Sequence, residues 1–126
     1  STLEVAETIT RFPGVEEANI YGVEIPGTEG RAGMAALVIH GAPDLAALRD
    51  HIHASLSPYA RPVFLRLQKT IEATSTFKQR KIALVEAGFD PAGISDRLYV
   101  DHPGEGAYVV LDIPLHARIV AGELRL

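Results

Sequence analysis

The sequence contains no cysteine. That excludes a disulfide framework, a thiolate metal site and a cysteine nucleophile, and it fits a reducing compartment. Long apolar runs are missing too. The longest, Met34 to Ile39, falls far short of the ~20 residues that a bilayer-spanning helix needs. The opening residues do not read as a signal peptide. Positive charge is not in excess. The 12 Lys and Arg against 16 Asp and Glu give a formal net charge of −4, which argues against a general nucleic-acid binder. Three glycine-based signatures are absent: the dinucleotide fingerprint, the phosphate-binding loop ending in Gly-Lys-Ser/Thr, and the G-x-S-x-G nucleophile elbow. No repeat, low-complexity tract or linker divides the chain.

What is present suits a soluble globular domain. Hydrophobic residues make up 47% of the 126 and charged residues 22%, too apolar a mixture for a disordered chain. A chain of this length forms one domain, burying about two thirds of the surface its unfolded form exposes.

Ser1-Thr2-Leu3-Glu4 reads as a capping box. Leu3, Ala6, Ile9 and Phe12 follow at helical spacing, and Pro13-Gly14 stops a helix expected over 2–12. A helix cap at residue 1 suggests a piece of a longer protein. Val15 to Ile25 is strand-like, and Gly33 to His40 is the short apolar run of a buried central strand. The loop Pro26 to Gly30 joins them as an antiparallel pair. Asp44 caps a helix over 44–57 with Leu45, Leu48, Ile52 and Leu56 on one face, ended by Pro58. Val63, Leu65 and Leu67 alternate in a third strand. A loop at Thr74-Ser75-Thr76 precedes a helix over 79–87, with Ile82 and Val85 inward and Gly88 as its stop. The tail holds an extended stretch, 107–113, and a short helix, 114–121. The expected fold is α/β (α+β): a small three-stranded sheet (18–25, 33–40 and 63–68) with flanking helices.

Charge is unevenly spread. Residues 61–81, one sixth of the chain, hold half of its positive charge: Arg61, Arg66, Lys69, Lys78, Arg80 and Lys81, against Glu72 alone. The segments before and after are net acidic. Such a basic segment suits a compact anionic ligand such as a nucleotide or CoA phosphate, or else forms a solvated face. No metal site is expected. His51 and His53 lie two apart on a helix, about 200° around it, and cannot share an ion. His40, His102 and His116 lack a ligand-spaced partner. In Thr74-Ser75-Thr76-Phe77-Lys78-Gln79-Arg80-Lys81, small hydroxyl residues lead into a lysine before a helix. A lysine on a loop swings a point charge onto a carboxylate or phosphate oxygen, the kind of charge that stabilises an anionic transition state.

Four stretches, spanning residues 1 to about 110, resemble the C-terminal domain of adenylate-forming enzymes. They are Asn19 to Ala36 with its GTEGRAGMAA, Pro58 to Arg66 (PYARPVFLR), Thr74 to Lys81 (TSTFKQRK), and Glu86 to Pro91 leading to Asp96-Arg97-Leu98-Tyr99. The likeness is greatest to the fatty acid transport protein and very-long-chain acyl-CoA synthetase branch. It implies the C-terminal lid of an ATP-dependent fatty acid–CoA ligase, a fragment lacking the N-terminal ATP and fatty-acid domain and inactive alone. By match, Lys78 is the catalytic lysine of acyl-adenylate formation, and Thr74, Ser75 and Thr76 form the loop that positions it. Arg80, Lys81 and Arg61 are read as contacts to nucleotide or CoA phosphates. ATP, Mg2+ and CoA are implied for the full-length enzyme, none bound by this fragment. The implied partners are its own N-terminal domain and the substrates, with peripheral membrane association through the missing part. The implied location is the cytoplasm or the cytoplasmic face of a membrane. Two departures stand out. Phe77 replaces the usual superfamily Gly, as is normal in this branch. Ser75 replaces the branch's usual Gly, which stiffens the loop and strains it wherever that Gly used positive φ. The alternatives are a non-catalytic module for an anionic ligand and a membrane or partner docking domain.

Overall fold

In a computed structural model that describes residues 1–126, the chain runs α1 (Thr2–Thr10), β1 (Val15–Val23), β2 (Ala32–Ile39) and α2 (Leu45–Ser55). A 3-10 turn (Pro58–Ala60), β3 (Phe64–Gln68) and α3 (Phe77–Ala87) follow, then β4 (Arg97–His102), β5 (Ala107–Val110) and α4 (Ile113–Val120). The strands form one five-stranded sheet ordered β1-β2-β3-β4-β5. Neighbours pair antiparallel except β2 and β3, which are parallel. A parallel step needs a crossover connection, and α2 supplies it.

β2 is the spine. Met34 to Ile39 are each at most 8% exposed, because helices cover both faces of the sheet. That is why this strand is a continuous apolar run rather than an alternating one. On one face, Val5 and Ile9 of α1 and Leu48 and Ile52 of α2 pack on Ala18, Ile20, Ala35, Leu37 and Leu65. On the other, Leu84 of α3 and Ile119 of α4 pack on Tyr21, Val23, Met34, Ala36 and Phe64. Phe89 stacks on Phe64 with ring centroids 4.5 Å apart. Fully burying a side chain such as Phe64 stabilises the fold by about 1.5–3 kcal/mol.

A β-bulge between Val15 and Glu17 changes which way β1 faces. Val15 joins the α1–α2 side, whereas Glu17, Asn19, Tyr21 and Val23 face α3. The helix starts follow the capping rules. The Ser1 hydroxyl accepts from the Glu4 N–H at 3.3 Å, and Asp44 Oδ1 accepts from the Ala47 N–H at 3.0 Å.

The sheet has five strands, not the three expected. β4 is short, and only Leu98 and Val100 are buried, with Tyr99 partly buried on the opposite face. Its Asp101, facing α2, pairs with Arg49 and His53, which accommodates a charged residue in the strand. The stretch at 107–110 is extended as expected but pairs with β4. Helix α3 starts at Phe77, two residues before the expected 79, and α2 ends at Ser55 rather than 57. Ile82 is 53% exposed rather than inward, and Leu84 is the residue of α3 that is buried.

Candidate functional site

Lys78 is the second residue of α3, not part of a free loop. Thr76 is the N-cap. Its hydroxyl accepts from the Gln79 N–H at 3.1 Å, and Gln79 Oε1 accepts from the Thr76 N–H at 2.9 Å. This reciprocal pair satisfies two donors at the helix start and fixes the backbone that carries Lys78. The Lys78 side chain is exposed and makes no salt bridge. No acidic residue occupies the first turn of α3. Lysine there adds to the positive end of the helix dipole, an unfavourable placement unless an anion arrives.

Because α3 begins this early, Lys78 and Lys81 are three apart on one side of it. Lys81 is half-buried and, like Lys78, forms no salt bridge. The side between them therefore presents two unpaired ammonium groups at a helix N-terminus. That arrangement attracts phosphate or carboxylate oxygens as point charges rather than by a bidentate fork.

Two basic residues read from the sequence as phosphate contacts are engaged elsewhere. Arg80 lies two residues beyond Lys78, about 200° around the helix, and faces the sheet. Its Nη2 donates to Glu17 Oε1 at 2.8 Å and its Nη1 to the Ser75 carbonyl at 3.0 Å. Its guanidinium carbon lies 5.7 Å from the Phe77 ring centroid. Arg61 donates from Nε to the Leu56 carbonyl at 3.0 Å and from Nη2 to the His53 carbonyl at 3.1 Å. It thereby satisfies carbonyls left open where α2 ends.

The loop residues divide in role. The Thr74 hydroxyl donates to Glu72 at 3.4 Å, a long contact on the surface. Ser75 carries no left-handed strain, since no residue other than glycine has positive φ. Its hydroxyl is buried without a protein partner. Thr76 is the cap itself.

Sequence reasoning missed Glu17 and Asn19. Both line a cavity of ≈ 200 Å³ beneath α3, together with Arg66, Gln68 and Arg80. Asn19 is 2% exposed, and its amide has no protein partner. A polar residue amid the apolar run of β1 was the available signal. Arg66 pairs with Asp96 at 2.9 Å, so the cavity wall is close to charge-neutral.

The histidines are dispersed. His51 bonds the Thr8 carbonyl at 2.7 Å and His53 bonds Asp101 at 3.0 Å, on different sides of α2. Nowhere do three or more His, Asp or Glu side chains converge as a metal site would require.

Comparisons with known proteins identify the family. The sequence pattern described as the AMP-binding enzyme C-terminal domain matches residues 4–78, ending on Lys78. The chain is 48% identical to long-chain fatty acid transport protein 3 of Homo sapiens over 128 aligned positions, covering 100% of this chain and 19% of that protein. It is 43% identical to long-chain fatty acid transport protein 1 of Mus musculus, covering 100% and 20%. The chain thus spans about a fifth of the length of these curated relatives. Among solved structures, the unliganded O-succinylbenzoate coenzyme A synthetase of Bacillus subtilis shares the fold with a TM-score of 0.54 at 23% identity, covering 70% of this chain and 18% of that one. The R395G form of coronafacic acid ligase from Pectobacterium brasiliense gives 0.60 at 11% identity, covering 79% and 19%. With more than half of its residues inside the family match, the chain belongs to the AMP-binding enzyme C-terminal domain family.

Proposed function

We propose that this chain acts as the C-terminal catalytic lid of an ATP-dependent long- or very-long-chain fatty acid–CoA ligase, with Lys78 as its adenylation lysine. One observation carries the reading. Lys78 is exposed, free of any salt bridge, and held on the capped first turn of α3 at the positive end of that helix. The names of the curated relatives supply the substrate class.

In the first half-reaction, a carboxylate oxygen of the fatty acid attacks the α-phosphorus of ATP. The bond to pyrophosphate breaks, and acyl-AMP forms. Two anions approach one another in this step, so a fixed cation at the bridging oxygens stabilises the transition state. In the second half-reaction the CoA sulfur bonds to the acyl carbon, and AMP leaves with the electrons of the broken C–O bond. That step needs no such cation, so a lid that moves serves both. The N-terminal domain of the parent holds ATP and the fatty acid in this reading, and Lys81 is the second phosphate contact. Any Mg2+ that accompanies ATP is held outside this chain, whose residues do not group as ligands. A parent drawing on ATP and CoA works in the cytoplasm or at the cytoplasmic face of a membrane. No helix here is long and apolar enough to cross one, so membrane contact is assigned to the rest of the parent.

The test uses the full-length parent and its Lys78→Ala variant. Acyl-adenylate formation from fatty acid and ATP is assayed apart from thioester formation from pre-made acyl-adenylate and CoA. Adenylation is expected to fall at least a hundredfold, a loss in line with removal of one such electrostatic group, while thioester formation persists. If both half-reactions survive unchanged, Lys78 is an ordinary surface lysine and its assignment as the adenylation lysine fails; a parent that performs neither half-reaction would favour a non-catalytic ligand module or docking domain.

A further inference from the structure

We infer that Arg80, held by Glu17, is a positioning residue that orients Lys78 rather than a contact to substrate phosphate. This rests on the ligase reading above and deepens it. Helix α3 has a single buried side chain, Leu84, toward its C-terminal half. Phe77, Lys78 and Gln79 in its first turn are all exposed. The capping box with Thr76 is internal to the helix and its cap, so it shapes that turn without attaching it to the domain. The cavity lined by Glu17, Asn19 and Arg80 runs beneath α3 from Arg80 to Ala87. Attachment of this end falls to Arg80. One nitrogen reaches across to Glu17 on β1, and another holds the Ser75 carbonyl immediately before the cap. The two groups are 18% and 23% exposed, so the pair is largely shielded from solvent. The β-bulge at Val15/Glu17 is what turns the Glu17 carboxylate toward α3. The fork of a guanidinium suits this double duty. A lysine ammonium is a single point charge on one nitrogen and lacks that fork. Lys78 therefore projects from a turn whose position relative to the sheet is set through Arg80.

The experiment uses the full-length parent with Arg80→Lys, Arg80→Met and Glu17→Gln, each alone and in a Lys78→Ala background. Arg80→Lys keeps the charge pair with Glu17 and loses the bridge to Ser75, so it remains informative if Arg80→Met does not fold. The expected result is a fall of about tenfold or more in kcat for adenylation. KM for ATP and CoA should stay within twofold, and the thioester half-reaction should not change. Amide hydrogen exchange should quicken at residues 75–79 in Arg80→Lys while Leu84 stays protected. In the Lys78→Ala background, the Arg80 substitutions should cause no further loss, because Arg80 acts through Lys78. A rise in KM for ATP or CoA at constant kcat would mean that Arg80 meets phosphate, and would overturn the proposal. So would parental adenylation in Arg80→Lys, unchanged exchange at 75–79, or an equal fall in both half-reactions. If Lys78→Ala itself has no effect, the assignment of Lys78 as the adenylation lysine fails. The exchange measurement then still decides whether Arg80 holds the turn.

Discussion

The Tyr108 hydroxyl donates to the Pro62 carbonyl at 2.6 Å, tying β5 to the segment that enters β3. Both residues are buried. Tyr21, equally buried on the other face of the sheet, has a hydroxyl with no protein partner. The same side chain is thus bonded on one side and only packed on the other.

Tyr108→Phe should destabilise the chain by about 1 kcal/mol, the usual net worth of a hydrogen bond, and leave the Pro62 carbonyl unpaired. Tyr21→Phe should change stability by less than about 0.5 kcal/mol or raise it, since no protein bond is lost. Urea denaturation of each variant checks the contrast. A larger loss in Tyr21→Phe than in Tyr108→Phe would show that the Tyr21 hydroxyl is the better satisfied of the two.

Alkaline pH should unfold the protein through the same residues. Burial is the leading cause that pushes the pKa of both hydroxyls well above the ordinary tyrosine value, and for Tyr108 the Asp101 carboxylate adds to it. Above about pH 10 the unfolded chain loses these protons while the folded chain keeps them. The folded state then binds more protons, so stability falls as pH rises. It is fully present below pH ~10 and should decline by up to about 1.4 kcal/mol per pH unit per tyrosine above it. Denaturation midpoints measured from pH 8 to 11 should bend downward near 10, and the bend should shrink in Tyr21→Phe. An unchanged bend in that variant would put the titration elsewhere.

Lys78→Glu should separate stability from activity. An acid in the first turn of a helix is favourable where a lysine is not, so the 126-residue chain should gain about 0.3–1 kcal/mol by thermal or urea denaturation. Adenylation by the parent should be lost. A destabilised Lys78→Glu chain would reveal a structural partner for Lys78.

Much of this was legible in the sequence, for reasons that differ by element. β2 announced itself because burial on both faces forces an apolar run. α2 showed its Asp44 cap and the spacing of Leu48 and Ile52, both fully buried. The start of α3 was written in the chain as Thr76-Phe77-Lys78-Gln79, a Thr-x-x-Gln capping box. The row of hydroxyl residues before it suggested a loop that runs two residues further. β4 was not legible. Two buried positions, Leu98 and Val100, are too few to establish a period of two, and the partners that accommodate Asp101, Arg49 and His53, lie about fifty residues away. Lys78 could be picked out as a candidate, but the roles of Arg61 and Arg80 could not. Each depends on an oxygen supplied by another part of the chain, and the Glu17 carboxylate that meets Arg80 is 63 residues away.

The order of strands across the sheet repeats their order along the chain. Each strand therefore finds its partner in the segment made just before it. The β1–β2 and β4–β5 hairpins close short loops, and the two longer closures, into β3 and into β4, are bridged by α2 and α3. Folding rates fall as contacting segments grow more distant in sequence, while the entropy of closing a loop grows only slowly with its length. Such a domain can be built outward during synthesis, each new strand docking on an edge already in place.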